Sequence, residues 1–103
     1  MKYYAVVEVA VTDDSWVADY LPNVTALVHK HGGKYLARTM TMEKVEGSRE
    51  LPTVFVVIEW PSKEAAMAFY EDPEYQPHLQ ARLAGSHSEF ALIAGDDIAD
   101  GQP

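Results

Sequence analysis

The chain contains no cysteine. That excludes a disulfide scaffold, a cysteine nucleophile and any thiolate-bound zinc or iron–sulfur centre. Basic residues are scarce: 8 lysines and arginines stand against 16 aspartates and glutamates, giving a formal net charge of −8 and a pI near 4.8. Nucleic-acid binding needs a cationic footprint, so no such partner is expected. Long apolar runs are also missing. A spanning helix needs about 20 apolar residues, and a signal peptide needs an unbroken apolar stretch with a cleavage site. The N-terminal MKYYAVVEVAV is broken at Glu8 and leads into Thr12-Asp13-Asp14. No membrane association is expected, and the chain reads as cytoplasmic. Asn23-Val24-Thr25 is then a chance glycosylation sequon. Gly32-Gly33 is too short for a P-loop or a dinucleotide fingerprint, so no cofactor is expected.

What is present fits one small globular domain over residues 1–95. The chain has 103 residues, a mass of 11.5 kDa and 48% hydrophobic residues. At that size folding buries about 65% of the unfolded chain's surface, enough for one thin core. Tyr3 to Val11 is β-branched and aromatic, as strands prefer. Thr12 to Ser15 supplies helix-capping chemistry, and from Trp16 the apolar period turns helical through Tyr20 and Val24. Pro22 predicts a kink, or two short helices meeting near Leu21. Gly32-Gly33 stops the helix.

A second strand is expected over Lys34 to Met42 and a polar loop over Glu43 to Pro52. The third strand, Thr53 to Trp60, carries the strongest strand signal. Ser62 caps a helix over residues 63–71, Asp72-Pro73 breaks it, and a further short helix fits Pro73 to Leu83 with Gly85 closing it. Glu89 to Gly95 is the last strand, and the acidic residues 96–103 are expected to be a flexible tail. The order β-α-β-β-α-β predicts a ferredoxin-like α+β fold, with helices over one face of a four-stranded antiparallel sheet.

Alternation then assigns faces. Val7, Val9, Val11 and Val54, Val56, Ile58, Trp60 belong under the helices. Val6, Glu8, Phe55, Val57 and Glu59 fall on the helix-free face, too apolar for bulk water. A homodimer packed through that face, with Glu8, Phe55 and Val57 in the contact, buries it. Alternation groups Arg38 with Lys34, Leu36, Met40 and Met42, and Arg38 is the natural partner of Glu8 and Glu59. The plainer reading of Glu8, Arg38 and Glu59 is a structural ion cluster. The functional one is a polar patch that grips a ligand or moves a proton.

His29 and His31 lie two apart on a helix and point to different faces, so no metal site is expected. Tyr70, Tyr75, His78 and Arg82 combine aromatic bodies, hydrogen-bonding tips and a cation, a set able to close on a small anionic or aromatic molecule. The plainer reading is a surface helix that packs Tyr75 and Leu79 inward. Ser86-His87-Ser88 matches no nucleophile elbow, and Asp96, Asp97 and Asp100 match no calcium loop.

The run from Tyr4 to Gly95 resembles domain-of-unknown-function family 1330, within the dimeric α/β-barrel superfamily. The residues that carry the likeness are YAVVEVAVTD, Tyr20, Gly32-Gly33, Arg38, VVIEWPSKEAA, and Tyr70-Glu71-Asp72-Pro73-Glu74-Tyr75-Gln76 with Arg82. Asp13-Asp14, where the family often has Asp-Pro, and Pro22 depart from the pattern. The resemblance implies a ferredoxin-like monomer and a homodimer joined through its sheets, and it names no reaction. Sister families hold cofactor-free monooxygenases, lactone isomerases, haem-dependent enzymes and effector-binding domains, which is a fold-level analogy only.

Two expectations follow. One is a homodimer that binds a small anionic or aromatic molecule through Arg38, Tyr70, Tyr75 and Arg82. The other is a cofactor-free enzyme, monooxygenase- or isomerase-like, acting on a small aromatic or carbonyl compound with Glu59 or His78 as acid–base group.

Overall fold

In the computed structural model, which describes residues 1–100, seven elements follow in order. They are β1 (Tyr3–Val11), α1 (Val17–Lys30), β2 (Lys34–Thr39), β3 (Val54–Trp60), α2 (Lys63–Tyr70), α3 (Gln76–Ala84) and β4 (Ser86–Ala94). The strands form one antiparallel sheet in the order β2-β3-β1-β4, the ferredoxin-like topology. Ala5, Val7 and Val9 of β1 join Ile58 and Trp60 of β3 beneath Val24 and Val28 of α1 and Phe69 of α2. The other face carries Val6 opposite Val57, and Glu8 opposite Phe55, with no helix over it. No helix is long and apolar enough to cross a membrane among the described residues.

Several local expectations give way to tertiary context. Pro22 lies inside one continuous helix rather than at a break. The carbonyl it leaves without a donor belongs to Ala18, on the exposed side, where water can satisfy it. Thr12 to Ser15 does not cap α1. Asp13 Oδ1 accepts from the Ser15 amide at 2.9 Å in the turn before it, while the N-cap Trp16 has no side-chain cap bond. Ser62 does cap α2, accepting from the Ala65 amide at 3.0 Å. β2 stops at Thr39, short of Met42, and β4 begins three residues before Glu89 because Val9 to Val11 pair with Ser86 to Ser88.

The largest change is in β2. Its register on β3 shifts between Tyr35 and Ala37, so Leu36 is an extra residue in a bulge. After a one-residue slip every side chain changes face. Arg38 therefore stands opposite Val56, on the helix side, and not beside Glu8 and Glu59. Those two acids pair elsewhere. Glu8 takes Arg49 at 2.8 Å, and Glu59 takes Lys2 at 3.1 Å.

The turn after α1 needs both of its glycines. Gly32 has φ +84°, a left-handed conformation that costs an L side chain energy. A Cβ on Gly33 would stand 2.6 Å from Val28 Cγ1 and 2.8 Å from the Trp60 ring. The helix end is then tied across the molecule. Asp72 lies in the turn after α2. Its Oδ2 is 2.8 Å from His31 Nε2 and accepts from Lys30 Nζ at 3.2 Å. The bond to His31, the Glu74 amide and Lys30 hold the Asp72 carboxyl down, at about 2. Residues 96–100 add a bridge at Asp97 and a turn, and residues 101–103 of the expected tail lie outside the described residues.

Candidate functional site

A cavity of about 510 Å³ opens between α1 and the helix side of the sheet, within the size range of small-molecule sites. Its floor is aliphatic, from Val7 and Val9 of β1 and Val54, Val56 and Ile58 of β3. Trp16, Tyr20 and Val24 of α1 form the roof, the i, i+4 series visible in the sequence. Aromatic rings close the far end. Phe69 and Tyr75 stand 4.4 Å apart, and Trp16 meets Tyr20 edge-on at 5.0 Å. Trp16 is set by Gly85, whose carbonyl accepts from Trp16 Nε1 at 3.3 Å and from the Thr12 amide at 2.9 Å.

Polar groups on this wall are few and connected. Arg82 of α3 is only 3% exposed. Its Nη2 donates to the Tyr75 hydroxyl at 3.3 Å, and the Tyr75 and Tyr20 hydroxyls are 3.1 Å apart. Because the Tyr75 oxygen accepts from Arg82, its own proton lies best on the Tyr20 oxygen. The Tyr20 O–H is then the free end of the chain. Burial pushes the Tyr20 hydroxyl up and Tyr75 adds to it, against the pull of Arg82, so Tyr20 is a neutral donor and not a base. Burial opposes the Arg82 charge, but Tyr75 and Tyr20 outweigh it and the net direction is up. Arg82 Nε is buried without a hydrogen-bond partner. No carboxylate lies within ion-pair distance of Arg82 among the described residues. A buried, unpaired guanidinium is costly, and it is an attractive seat for an anion.

Arg38 stands at the rim, in the position the bulge gives it. Its Nη1 donates to Thr25 Oγ1 at 2.7 Å, and its guanidinium lies 3.8 Å over the Tyr35 ring. Burial raises the Tyr35 hydroxyl, with Arg38 opposing, so it too stays neutral. Among the described residues, the one carboxylate of the lining is the exposed Asp14.

Of the residues singled out in the sequence, the cavity brings together Arg38, Tyr75 and Arg82. Tyr70 lies apart, in a smaller groove with Phe90 and Leu92, though its ring touches Tyr75 at 6.0 Å. His78 is outside the lining, edge-on to Tyr20 at 6.3 Å and 3.9 Å from Asp19. Glu59 is on the other face of the sheet, with Glu8, Phe55 and Val57. The two proposed acid–base groups are therefore not in one site. The lining also includes Tyr20, Tyr35 and Thr53; the sequence marks Tyr20 through the helical face it shares with Trp16 and through the family likeness, and carries no signal for the other two. No cluster of three histidines or acids that could hold a metal exists among the described residues.

Fold and cavity define the class: an α+β ferredoxin-like protein with a ligand-sized chamber beneath its first helix. The structure resembles a protein of unknown function from Rhodopseudomonas palustris, with TM-score 0.77, 17% identity, and 89% of this chain and 80% of that chain covered. It also resembles a dimeric ferredoxin-like protein of unknown function from Jannaschia, with TM-score 0.73, 12% identity, and 91% and 99% covered. A third is SnoaB, a cofactor-independent oxygenase from Streptomyces nogalater, with TM-score 0.58, 18% identity, and 93% and 92% covered. At such identities these likenesses show the fold. The chain itself belongs to the family described as Domain of unknown function (DUF1330), which matches residues 2–96. No curated protein matches it.

Proposed function

We propose that this chain binds a small aromatic anion in the cavity beneath α1, as a homodimer joined through the helix-free face of its sheet. The buried Arg82, with no carboxylate within ion-pair distance among the described residues and with aliphatic and aromatic groups as its main neighbours in the lining, carries the ligand reading. An anion arriving there meets the guanidinium and the Tyr20 hydroxyl, and its hydrocarbon part meets Val7, Val56 and Phe69. Charge-assisted hydrogen bonds of this kind are each worth about 1.5–3 kcal/mol. The dimer rests on the apolar, uncovered face around Val6, Phe55 and Val57 and on the dimeric relative from Jannaschia.

The test is Arg82→Met, assayed by thermal shift with benzoate. Methionine keeps an unbranched apolar stem at this buried position, and the Tm of the ligand-free variant checks that it folds. Benzoate is expected to raise the Tm of the wild type and to leave that of the variant unchanged. Equal shifts in both proteins end the anion assignment.

The same donors can stabilise negative charge that develops on a substrate oxygen, which is the second reading, a cofactor-free enzyme. The likeness to the oxygenase SnoaB favours it. Here His78 acts beside Tyr20, and Glu59 has no part. Binding is preferred because, among the described residues, Asp14, exposed at the rim, is the only carboxylate in the lining and no histidine joins it.

A further inference from the structure

We infer that the ligand carries two separated anionic groups on an aromatic frame, one held by Arg82 in the depth of the cavity and one by Arg38 at its rim. This rests on the reading of the cavity as a small-molecule site and adds the chemical class of the molecule.

Acids outnumber bases two to one in this chain, so an arginine finds a carboxylate easily. Arg49 does so, with Glu8. The other two arginines both line the cavity, and neither has a carboxylate within ion-pair distance among the described residues. Arg38 is nonetheless fixed. Thr25 and the Tyr35 ring hold its guanidinium at the rim without neutralising it. A planar guanidinium whose remaining N–H groups are free is suited to two-point binding of a carboxylate.

The two cations are spaced along the cavity. Arg82 reaches α1 through Tyr75 at Tyr20, and Arg38 reaches it directly at Thr25. Those α1 positions differ by about 7.5 Å along the helix axis. Across the sheet, Arg38 belongs to the edge strand β2, while Arg82 belongs to α3, which packs on β4 at the opposite edge. Between them the floor is apolar. A carboxylate bound at one arginine thus leaves the other without an anionic partner. A rigid diacid about one or two rings long is the class of molecule that would span the two positions.

The experiment compares matched acids on the full chain by calorimetry at constant ionic strength: benzoate with para-benzenedicarboxylate, and biphenylcarboxylate with biphenyldicarboxylate. At least one diacid is expected to bind about tenfold more tightly than its monoacid, a difference of about 1.4 kcal/mol. Arg38→Gln, an exposed change that leaves the core alone, is expected to remove the tenfold difference between that diacid and its monoacid. Arg82→Met is expected to abolish both. If monoacids bind through Arg82 and the diacids gain nothing, or if Arg38→Gln weakens both equally, the two-ended ligand is wrong and the single-anion site survives. If no acid binds the wild type, both readings fall.

Discussion

A guanidinium moved from water into a protein wall loses several kcal/mol of hydration, and partners must offset that loss. At Arg82 two tyrosine hydroxyls do so in part, and Nε stays unpaired. Asp72 is the opposite case, a buried acid fully partnered by His31, Lys30 and the Glu74 amide. Its carboxyl is held at about 2, below the ordinary 3.8. The folded-state value is depressed, so the stabilisation is complete above about pH 5 and is lost as the pH falls towards 2. Asp72→Asn is therefore expected to lower the urea midpoint at neutral pH. Between about pH 5 and pH 2.5 it is expected to remove part of the wild type's decline. Parallel declines in the two proteins would show that Asp72 is not a source of the acid sensitivity.

Elements place these residues, and the turn after α1 shows how tightly. Gly33 lets the Trp60 ring and Val28 meet over bare backbone. Gly33→Ala forces a methyl group into that contact, and overpacking of this kind costs about 1–3 kcal/mol. Denaturant unfolding is expected to show that loss with the m-value unchanged; a neutral substitution would mean the turn relaxes. The bulge at Leu36 decides where Arg38 points. It turns Arg38 from the helix-free face to the cavity rim. Alternation through Lys34, Leu36 and Arg38 leaves the face of that set open, and the pairing of Arg38 with Glu8 and Glu59 fails because a bulge leaves no signal in a six-residue strand. The continuous helix through Pro22 was hidden for a similar reason. Whether a lost backbone bond matters depends on whether that carbonyl faces water.

At the scale of the molecule, the structure is one sheet with helices on one side. Its radius of gyration is 14.4 Å, against about 12.8 Å for a compact chain of this length. The uncovered sheet face and the long loop between β2 and β3 both add to it. On that face Glu8 stands opposite Glu89 in register, a like-charge pair that Arg49 relieves. Phe55→Glu adds a further acid to the face. In sedimentation velocity the wild type is expected to run at twice its 11.5 kDa chain mass and the variant at the chain mass. A wild type that runs as a monomer would remove the dimer from the proposal.

The sequence by itself determined the element order, the family, the helix-side apolar sets of β1 and β3, the Ser62 cap and the inward turn of Tyr75 and Leu79. These depend on local propensity and on periods of 2 and 3.6 residues, which a linear string records. It also held Arg38, Tyr75 and Arg82 as candidates, through their chemistry and the family likeness. Tertiary structure decided which of them meet. The β2 bulge brought Arg38 to the cavity, the Tyr20–Tyr75 contact bridged 55 positions to reach Arg82, and the sheet itself put Glu59 on the far side from all three. Such meetings depend on register and packing between distant segments, and no local pattern encodes them.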